Sequence, residues 1–234
     1  MKASILITRP QAAADRLAIR LAERVGPACE IVCSPVIEIM AVPAIVGKTA
    51  YRGVIFTSVH GVLHAPDVTA TKTCWCVGEM TARAAGEAGY AVKHHAMDAE
   101  TLLADLAEMH IEGPLLHLRG TYARIDLARR LTDAGIPCDD LVVYKQDARS
   151  LSTQARATLE GETPVILPLY SPRSAALVAD QGPFAAPITV VAISDAAAHA
   201  AAGLVPENVV VASRPDGVAM IAAIVAAAGT VCPK

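Results

Sequence analysis

Two stretches of the chain decide its fold, and both have the same plan. The first is VIFTS at 54–58, followed by CVGEMTARAA at 76–85; the second is VILPLYSP at 165–172, followed by VAISDAAAHAA at 191–201. In each, an apolar run stops at hydroxyl or Gly residues and an Ala-rich segment follows, which is how a buried parallel strand delivers small polar groups to a helix N-terminus. Backbone N–H groups there are unpaired and carry partial positive charge, so a carboxylate or phosphate can dock. The pattern predicts two halves that face each other and hold one large anionic ligand.

The same alternation of strand and helix runs along the whole chain. Helices are predicted to end at Gly26, Gly89, Gly135 and Gly203, and one of them is predicted over 122–134. This alternation is typical of doubly wound α/β sheets, whose ligands bind at the carboxyl ends of the strands. Pro168 interrupts a strand that should be central, which indicates an edge strand or a bulge.

The domain organisation is predicted from two extended segments with Pro or polar flanks. These segments, 36–39 and 142–147, are expected to be linker strands. They bracket an inserted α/β domain at 40–141, of a size that can fold as a unit. The remaining pieces, 1–35 and 148–234, are expected to pair as one discontinuous α/β domain. The chain would then leave the first domain and return to it.

Composition excludes several classes of protein. The 234 residues carry a formal net charge of -3 and only 3% aromatics, which argues against a nucleic-acid partner. The six Cys residues show no zinc-knuckle spacing, and we interpret them as thiols in a reducing cytoplasm. The apolar runs at both ends are too short for a signal peptide or a membrane span, so no membrane partner is expected.

Other catalytic patterns are weak or missing. No Gly-rich phosphate fingerprint follows a strand, and Ser171 lacks the Gly-x-Ser-x-Gly elbow of hydrolases. His60 and His64 have the spacing of metal ligands on a helix, but no Glu follows His60 and Pro66 limits the helix. We interpret the two histidines as a surface pair, and His94-His95 as solvated.

Several short motifs in order resemble the uroporphyrinogen-III synthase family nearly from end to end. Small and hydroxylic residues are common at strand ends, so it is their order and spacing together that carry the resemblance. The motifs are Thr8-Arg9-Pro10, Ser34-Pro35, Phe56-Thr57-Ser58, Val77-Gly78, Thr81-Ala82, Leu118-Arg119-Gly120, Val143-Tyr144, Tyr170-Ser171-Pro172 and Ile193-Ser194.

The resemblance implies both an architecture and a reaction. It implies two α/β domains joined by a two-stranded linker. It also implies a cyclising lyase that converts the linear tetrapyrrole hydroxymethylbilane into uroporphyrinogen III, with loss of water and inversion of the last pyrrole ring. No cofactor or metal is implied. We expect a cytoplasmic monomer of tetrapyrrole and heme biosynthesis, with a transient hand-off of substrate from hydroxymethylbilane synthase.

The resemblance also implies roles for individual residues. Tyr144 matches the family's cleft Tyr and is assigned as hydrogen-bond donor to the departing hydroxyl; the alternative is a Tyr packed under the hinge with its OH satisfied locally. The remaining candidates would bind the substrate carboxylates, although the hydroxyl residues among them could instead be ordinary N-caps and the Arg residues merely solvated. These candidates are Arg9, Thr57, Ser58, Thr81, Arg119, Gly120, Ser171, Arg173 and Ser194.

One departure from the family pattern leaves a second class of function open. The helix-start hydroxyl present as Thr81 in one half is replaced by Ala197 in the other, and Asp195 beside it would repel a carboxylate unless it caps the helix. The ligand is then held asymmetrically, or the activity is altered. The alternative function is a non-catalytic, two-domain anion-binding protein of hinge type.

Overall fold

The computed structural model describes residues 2–47, 49–66, 72–123 and 125–231. The chain divides into two compact units. One, which we call the outer unit, contains the chain up to Glu38 and from Asp147 onward. The other, which we call the inserted unit, is Ile39–Gln146.

Strands and helices alternate along the described residues. The strands are β1 (Ala3–Ile7), β2 (Cys29–Cys33), β3 (Ile37–Ala41), β4 (Gly53–Phe56), β5 (Thr73–Val77), β6 (Ala91–Ala96), β7 (Leu115–Gly120), β8 (Cys138–Ala148), β9 (Val165–Leu169), β10 (Ile188–Ala192) and β11 (Asn208–Val211). The α-helices are α1 (Gln11–Val25), α2 (Val59–Leu63), α3 (Glu79–Glu87), α4 (Ala99–Glu108), α5 (Leu127–Asp133), α6 (Thr153–Glu160), α7 (Pro172–Ala179), α8 (Asp195–Ala200) and α9 (Gly217–Val231).

The outer unit is built on a five-stranded sheet in the order β11-β10-β9-β1-β2, with parallel pairing between neighbours. Its three central strands are buried along their whole length, as continuous apolar runs in parallel sheets should be. Helices α1 and α9 bury an apolar stripe against one face, where Leu21 and Ile224 are fully enclosed. Helices α6 and α7 contact β2 and β9.

Pro168 does not mark an edge strand or a bulge, so that prediction is wrong. Strand β9 lies between β10 and β1, and its pairing with β10 runs without interruption through Pro168. The Val165 N–H bonds on the β10 side, so by strand alternation the nitrogen of residue 168 faces β1. The β1–β9 pairing ends at Ile166. The missing N–H therefore costs no bond to β10, and on the β1 side the pairing has already ended before Pro168.

The inserted unit is built on a six-stranded sheet in the order β3-β8-β7-β4-β5-β6. The pairs β4–β5, β4–β7, β5–β6 and β7–β8 are parallel. Alternate side chains of the central strands enter two separate cores, one around Phe56 and Leu118 and the other around Ile55 and Leu115. Helix α3 covers the first face, and α4 and α5 cover the second, so both faces of this sheet are buried.

Several predicted boundaries in the inserted unit are wrong, and one of these errors concerns the site. The helix predicted over 122–134 begins only at Leu127, because the Asp126 side chain accepts a hydrogen bond from the Arg129 N–H at 3.2 Å and caps the helix there. Before it, the Thr121 N–H bonds the Tyr144 carbonyl oxygen and prolongs the β7–β8 pairing. The segment from Thr121 to Asp126 therefore leaves the sheet edge without helical structure in its described residues.

In the part of the chain that the structure describes, no helix combines the length and the apolar character needed to cross a bilayer.

Candidate functional site in the inserted unit

A cavity of about 500 Å³ opens at the carboxyl ends of β4, β7 and β8. Because these strands are parallel neighbours, the residues that end each strand converge at one edge of the sheet. Thr57 and Ser58 follow β4, Gly120 ends β7, and Tyr144 lies on β8; all four line the cavity. Tyr122, from the irregular segment after β7, adds a second phenol.

Tyr144 is held in a tight pocket beside this cavity. The side chain is almost fully buried, and its ring packs against the imidazoles of His60 and His64, with centroid separations of 5.6 and 6.2 Å. A β-bulge shifts the register between Arg119 and Gly120, which sets Gly120 opposite Tyr144. A Cβ on Gly120 would lie 2.5 Å from the Tyr144 Cε2 and Cζ atoms. Gly is therefore needed at 120 for the phenol ring to occupy its place.

The two histidines were interpreted as a surface pair, and the structure places their rings together at the sheet edge. His60 and His64 are half-buried, and their rings stack on each other 6.4 Å apart as well as on Tyr144. The reason is that α2 is short and begins directly at the sheet edge, where the Ser58 hydroxyl accepts a hydrogen bond from the His60 N–H at 3.2 Å. The expectation that His94 is solvated is wrong, because its Nε2 lies 2.6 Å from the Asp105 carboxylate.

A chain of polar side chains runs through the sheet behind Thr57. The Thr57 Oγ1 is 3.1 Å from the His117 Nε2, and the His117 Nδ1 is 2.9 Å from Asp140 Oδ1. The other Asp140 oxygen lies 2.9 Å from the Arg119 Nε. Burial alone would raise the Asp140 pKa, but hydrogen bonds and charge from His117 and Arg119 outweigh it and hold that pKa below its usual range. Asp140 is therefore an anion at neutral pH.

The electrostatic character of the cavity differs from that of a basic anion site. Among the described residues, its lining includes the carboxylates of Asp98 and Glu100 but no Lys or Arg side chain. Asp98 caps α4 by accepting from the Thr101 N–H, which lowers its pKa. Glu100 accepts from Arg130 at 2.6 Å, which lowers its pKa as well. Hydroxyl and amide groups are therefore the described donors on this wall.

The remaining predicted residues of the inserted unit lie elsewhere. Arg119 lines a neighbouring cavity of about 240 Å³, where it contacts Asp140 and donates to the Gly120 carbonyl oxygen. Thr81 is buried in the first turn of α3, whose N-cap is Gly78. Neither residue is among those that line the larger cavity.

The predicted residues of the outer unit lie at the carboxyl ends of its own strands. Ser171 and Ser194 cap α7 and α8 by accepting hydrogen bonds from the Ser174 and Ala197 N–H groups. Asp195 occupies the first turn of α8 rather than the cap. Arg9, after β1, places its guanidinium carbon 4.0 Å from the ring centroid of Tyr170, after β9. Arg173 lies in the first turn of α7.

Sequence reasoning did not identify the pairing of His117 with Asp140. His117 is one polar residue in an apolar strand, and Asp140 belongs to none of the motifs. The signal that pairs them is the register of β7 with β8, in which they are directly opposite each other. That register depends on how the strands pair, which local sequence patterns do not reveal.

The geometry defines the class of protein: an α/β enzyme of two units with parallel sheets, whose candidate site lies at the carboxyl ends of the strands. The model of the family described as "Uroporphyrinogen-III synthase HemD" matches residues 15–222. The chain belongs to the uroporphyrinogen-III synthase family. It therefore cyclises hydroxymethylbilane to uroporphyrinogen III as a lyase of tetrapyrrole and heme biosynthesis, and the predicted family and function are confirmed.

Solved structures share the fold. The uroporphyrinogen-III synthetase of Helicobacter pylori is 17% identical, with 97% of this chain and 100% of that chain covered and a TM-score of 0.69. A mutant uroporphyrinogen III synthase of Thermus thermophilus is 14% identical, with 97% of this chain and 99% of that chain covered and a TM-score of 0.54. The predicted fold class, α/β with two parallel-sheet domains, is confirmed. No curated protein sequence matches the chain closely. These findings give no support to the alternative of a non-catalytic anion-binding protein.

Proposed function

We propose that hydroxymethylbilane reacts at the 500 Å³ cavity of the inserted unit, with Tyr144 as hydrogen-bond donor to the departing hydroxyl. The observation that carries this proposal is the close packing of Tyr144 against Gly120 at the cavity wall. A phenol held by backbone on one side and two imidazoles on another keeps one orientation, and a donor of fixed orientation is what a leaving hydroxyl group requires.

The reaction asks little more of the protein than positioning and a proton. Loss of the hydroxyl as water leaves a resonance-stabilised cationic azafulvene, so the substrate supplies much of its own reactivity. The ionised Asp98 lines the cavity in which this cation would form and favours it by Coulomb attraction, which solvent screening weakens, whereas the charge of Glu100 is already paired with Arg130. A lining with carboxylates but no described Lys or Arg suits a cationic intermediate better than a site built only to hold anions.

The substrate's carboxylates are assigned to hydroxyl and amide donors. In the inserted unit, Thr57, Ser58 and the Gly120 backbone line the cavity and can contact the substrate directly. The other predicted carboxylate contacts stay as predictions: Arg9, Thr81, Arg119, Ser171, Arg173 and Ser194. Arg119 would have to break its ion pair with Asp140 before it could bind a substrate carboxylate. Thr81 would have to become accessible from its buried position in α3.

The test is the Tyr144→Phe substitution, assayed with freshly prepared hydroxymethylbilane. Products are oxidised, and the type I and type III isomers are separated by chromatography, because spontaneous closure gives type I. We expect type III formation to slow by roughly 10²-fold, in the range of one placed proton donor, with substrate binding nearly intact. Tyr51→Phe is the matched control, since it removes a phenol that bonds Asp139 at 2.7 Å in the same unit. Equal turnover in Tyr144→Phe and wild type would remove Tyr144 from the mechanism.

We also propose that the protein works as a cytoplasmic monomer and receives its substrate by transient hand-off from hydroxymethylbilane synthase. The Sγ atoms of Cys74 and Cys76 lie 3.9 Å apart, as two thiols rather than a disulfide, which suits a reducing compartment. The domain assignment of 1–35 with 148–234, an insert at 40–141 and linkers at 36–39 and 142–147 stays a prediction. Light scattering coupled to gel filtration would measure the oligomeric state, and a dimer mass would contradict the proposal.

A further inference from the structure

The polar chain behind Thr57 has the composition of a proton relay. Thr57 faces the larger cavity, His117 is enclosed in the sheet with 2% of its side chain exposed, and Asp140 is 26% exposed at the smaller cavity. A buried imidazole that bonds a hydroxyl on one ring nitrogen and a carboxylate on the other is held in one orientation. We infer that Thr57, His117 and Asp140 form a relay in which His117 resupplies the proton that the Thr57 hydroxyl gives to the substrate.

The protonation state of His117 decides what Thr57 offers to the cavity. Asp140 can only accept, so the His117 Nδ1 carries a hydrogen in either state. When the ring is neutral, Nε2 accepts, and the Thr57 hydroxyl hydrogen points into the sheet. When the ring is an imidazolium, Nε2–H donates to Thr57 Oγ1, and the hydroxyl hydrogen is free to turn toward the cavity. The relay thus converts Thr57 from an acceptor into a donor.

The charged and titratable groups around His117 lie on β7, β8 and α5. The ionised Asp140 faces it directly, while Arg119, on the same strand, neutralises the other Asp140 oxygen rather than contacting the ring. Cys138, on β8, stays a neutral thiol because burial raises its pKa to about 12. Asp126, at the start of α5, lines the same small cavity as Asp140 and adds a second negative charge. Asp140 is therefore the charged group that contacts the ring, and its carboxylate pairs with the Nδ1–H in either ring state.

The relay can both supply and take back the proton that the reaction uses. In the first step, the Thr57 hydroxyl proton passes to the leaving oxygen, the carbon–oxygen bond breaks, and water departs. Thr57 Oγ1 takes the Nε2 proton, and His117 becomes neutral. After the ring closes, the terminal pyrrole carbon loses a proton to Thr57 Oγ1, whose own hydrogen returns to His117. In this scheme Thr57 is the catalytic residue, His117 is a positioning and proton-holding residue, and Tyr144 orients the leaving oxygen.

The inference rests on the proposed function, and its test is a pH profile of type III formation. Because the scheme draws a proton from the Nε2–H of His117, wild-type activity should fall at alkaline pH. Thr57→Val should lower kcat roughly 10- to 100-fold, and Thr57→Ser should restore most of it. His117→Gln should remove this alkaline fall, and Asp140→Asn should move it to lower pH, since a neutral partner no longer favours a charged ring.

The matched control is His94→Gln, because His94 and Asp105 form a second imidazole–carboxylate pair outside the residues that line the larger cavity. It should leave the profile unchanged. Circular dichroism checks folding, and the Thr57 pair keeps the test decisive where His117→Gln does not fold. If the wild-type protein forms type III but Thr57→Val and Thr57→Ser have equal kcat, the relay is overturned. The same conclusion follows if the alkaline fall in activity occurs at the same pH in Asp140→Asn as in wild type. A Tyr144→Phe protein with wild-type turnover would instead overturn the proposed function.

Discussion

Gly120→Ala tests how strictly the cavity wall positions Tyr144. The added Cβ would lie 2.5 Å from two ring carbons and 2.9 Å from the phenol oxygen. Carbon atoms in contact prefer about 3.5–4.0 Å, so the ring must withdraw by roughly 1 Å. The ring cannot withdraw freely, because His60 and His64 already pack against it. Overpacking of this kind costs about 1–3 kcal/mol of folding free energy, and a displacement of about 1 Å at a reacting centre can cost 10²-fold in rate.

Two measurements on the Gly120→Ala protein check this reasoning. Urea unfolding should show the loss of stability, and the isomer assay should show type III formation slowed by roughly 10²-fold. Gly86→Ala is the matched control: Gly86 lies in α3 with nothing within 4 Å of an added Cβ. That change should stabilise the protein by roughly 0.5–1 kcal/mol and leave turnover unchanged. A Gly120→Ala protein with wild-type turnover would show that the position of the phenol does not control the reaction.

Two further predictions concern stability rather than turnover. The pKa of Asp140 is lower in the folded protein than its unfolded value of about 3.9. The ionised carboxylate therefore adds to the free energy of unfolding in full above about pH 3.9, and this stabilisation is lost as the pH falls through the folded-state pKa. The free energy of unfolding should therefore fall more steeply from pH 5 to pH 2 in wild type than in Asp140→Asn, and parallel curves would contradict the ion-pair assignment. In the outer unit, a double-mutant cycle with Arg9→Met and Tyr170→Leu should give a coupling energy of about 0.5–2 kcal/mol in urea unfolding, and additive effects would exclude a cation–π contact.

Much of the fold could be predicted from local pattern, and the errors have local causes. The apolar runs of β9 and β10 identify buried strands, since both faces of a parallel sheet are covered. Pro168 misled the prediction because the cost of a missing N–H depends on which neighbour it would have bonded. The nitrogen of residue 168 faces away from β10, the strand with which the pairing is continuous. The helix predicted from 122 failed because Asp126 caps a later start.

The site was predictable only in part. Thr57, Ser58, Gly120 and Tyr144 were all named from the motifs, and the structure gathers them around one cavity. For Thr57, Ser58 and Gly120 the strong signal was their place at strand ends, since parallel strands bring their carboxyl ends to one edge. Tyr144 lies within β8 and was named from the family motif. Which of them contact substrate carboxylates stays a prediction.

By itself, the sequence determined where strands and helices form and which residues end each strand, because periodicity, Gly and capping side chains act within a few neighbouring positions. Only the tertiary structure decided which strand ends meet. Thr57, His117 and Asp140 come from three different strands or strand ends, and their contacts depend on the registers of β4 with β7 and of β7 with β8. A shift of one residue in either register would turn alternate side chains to the opposite face and separate the three.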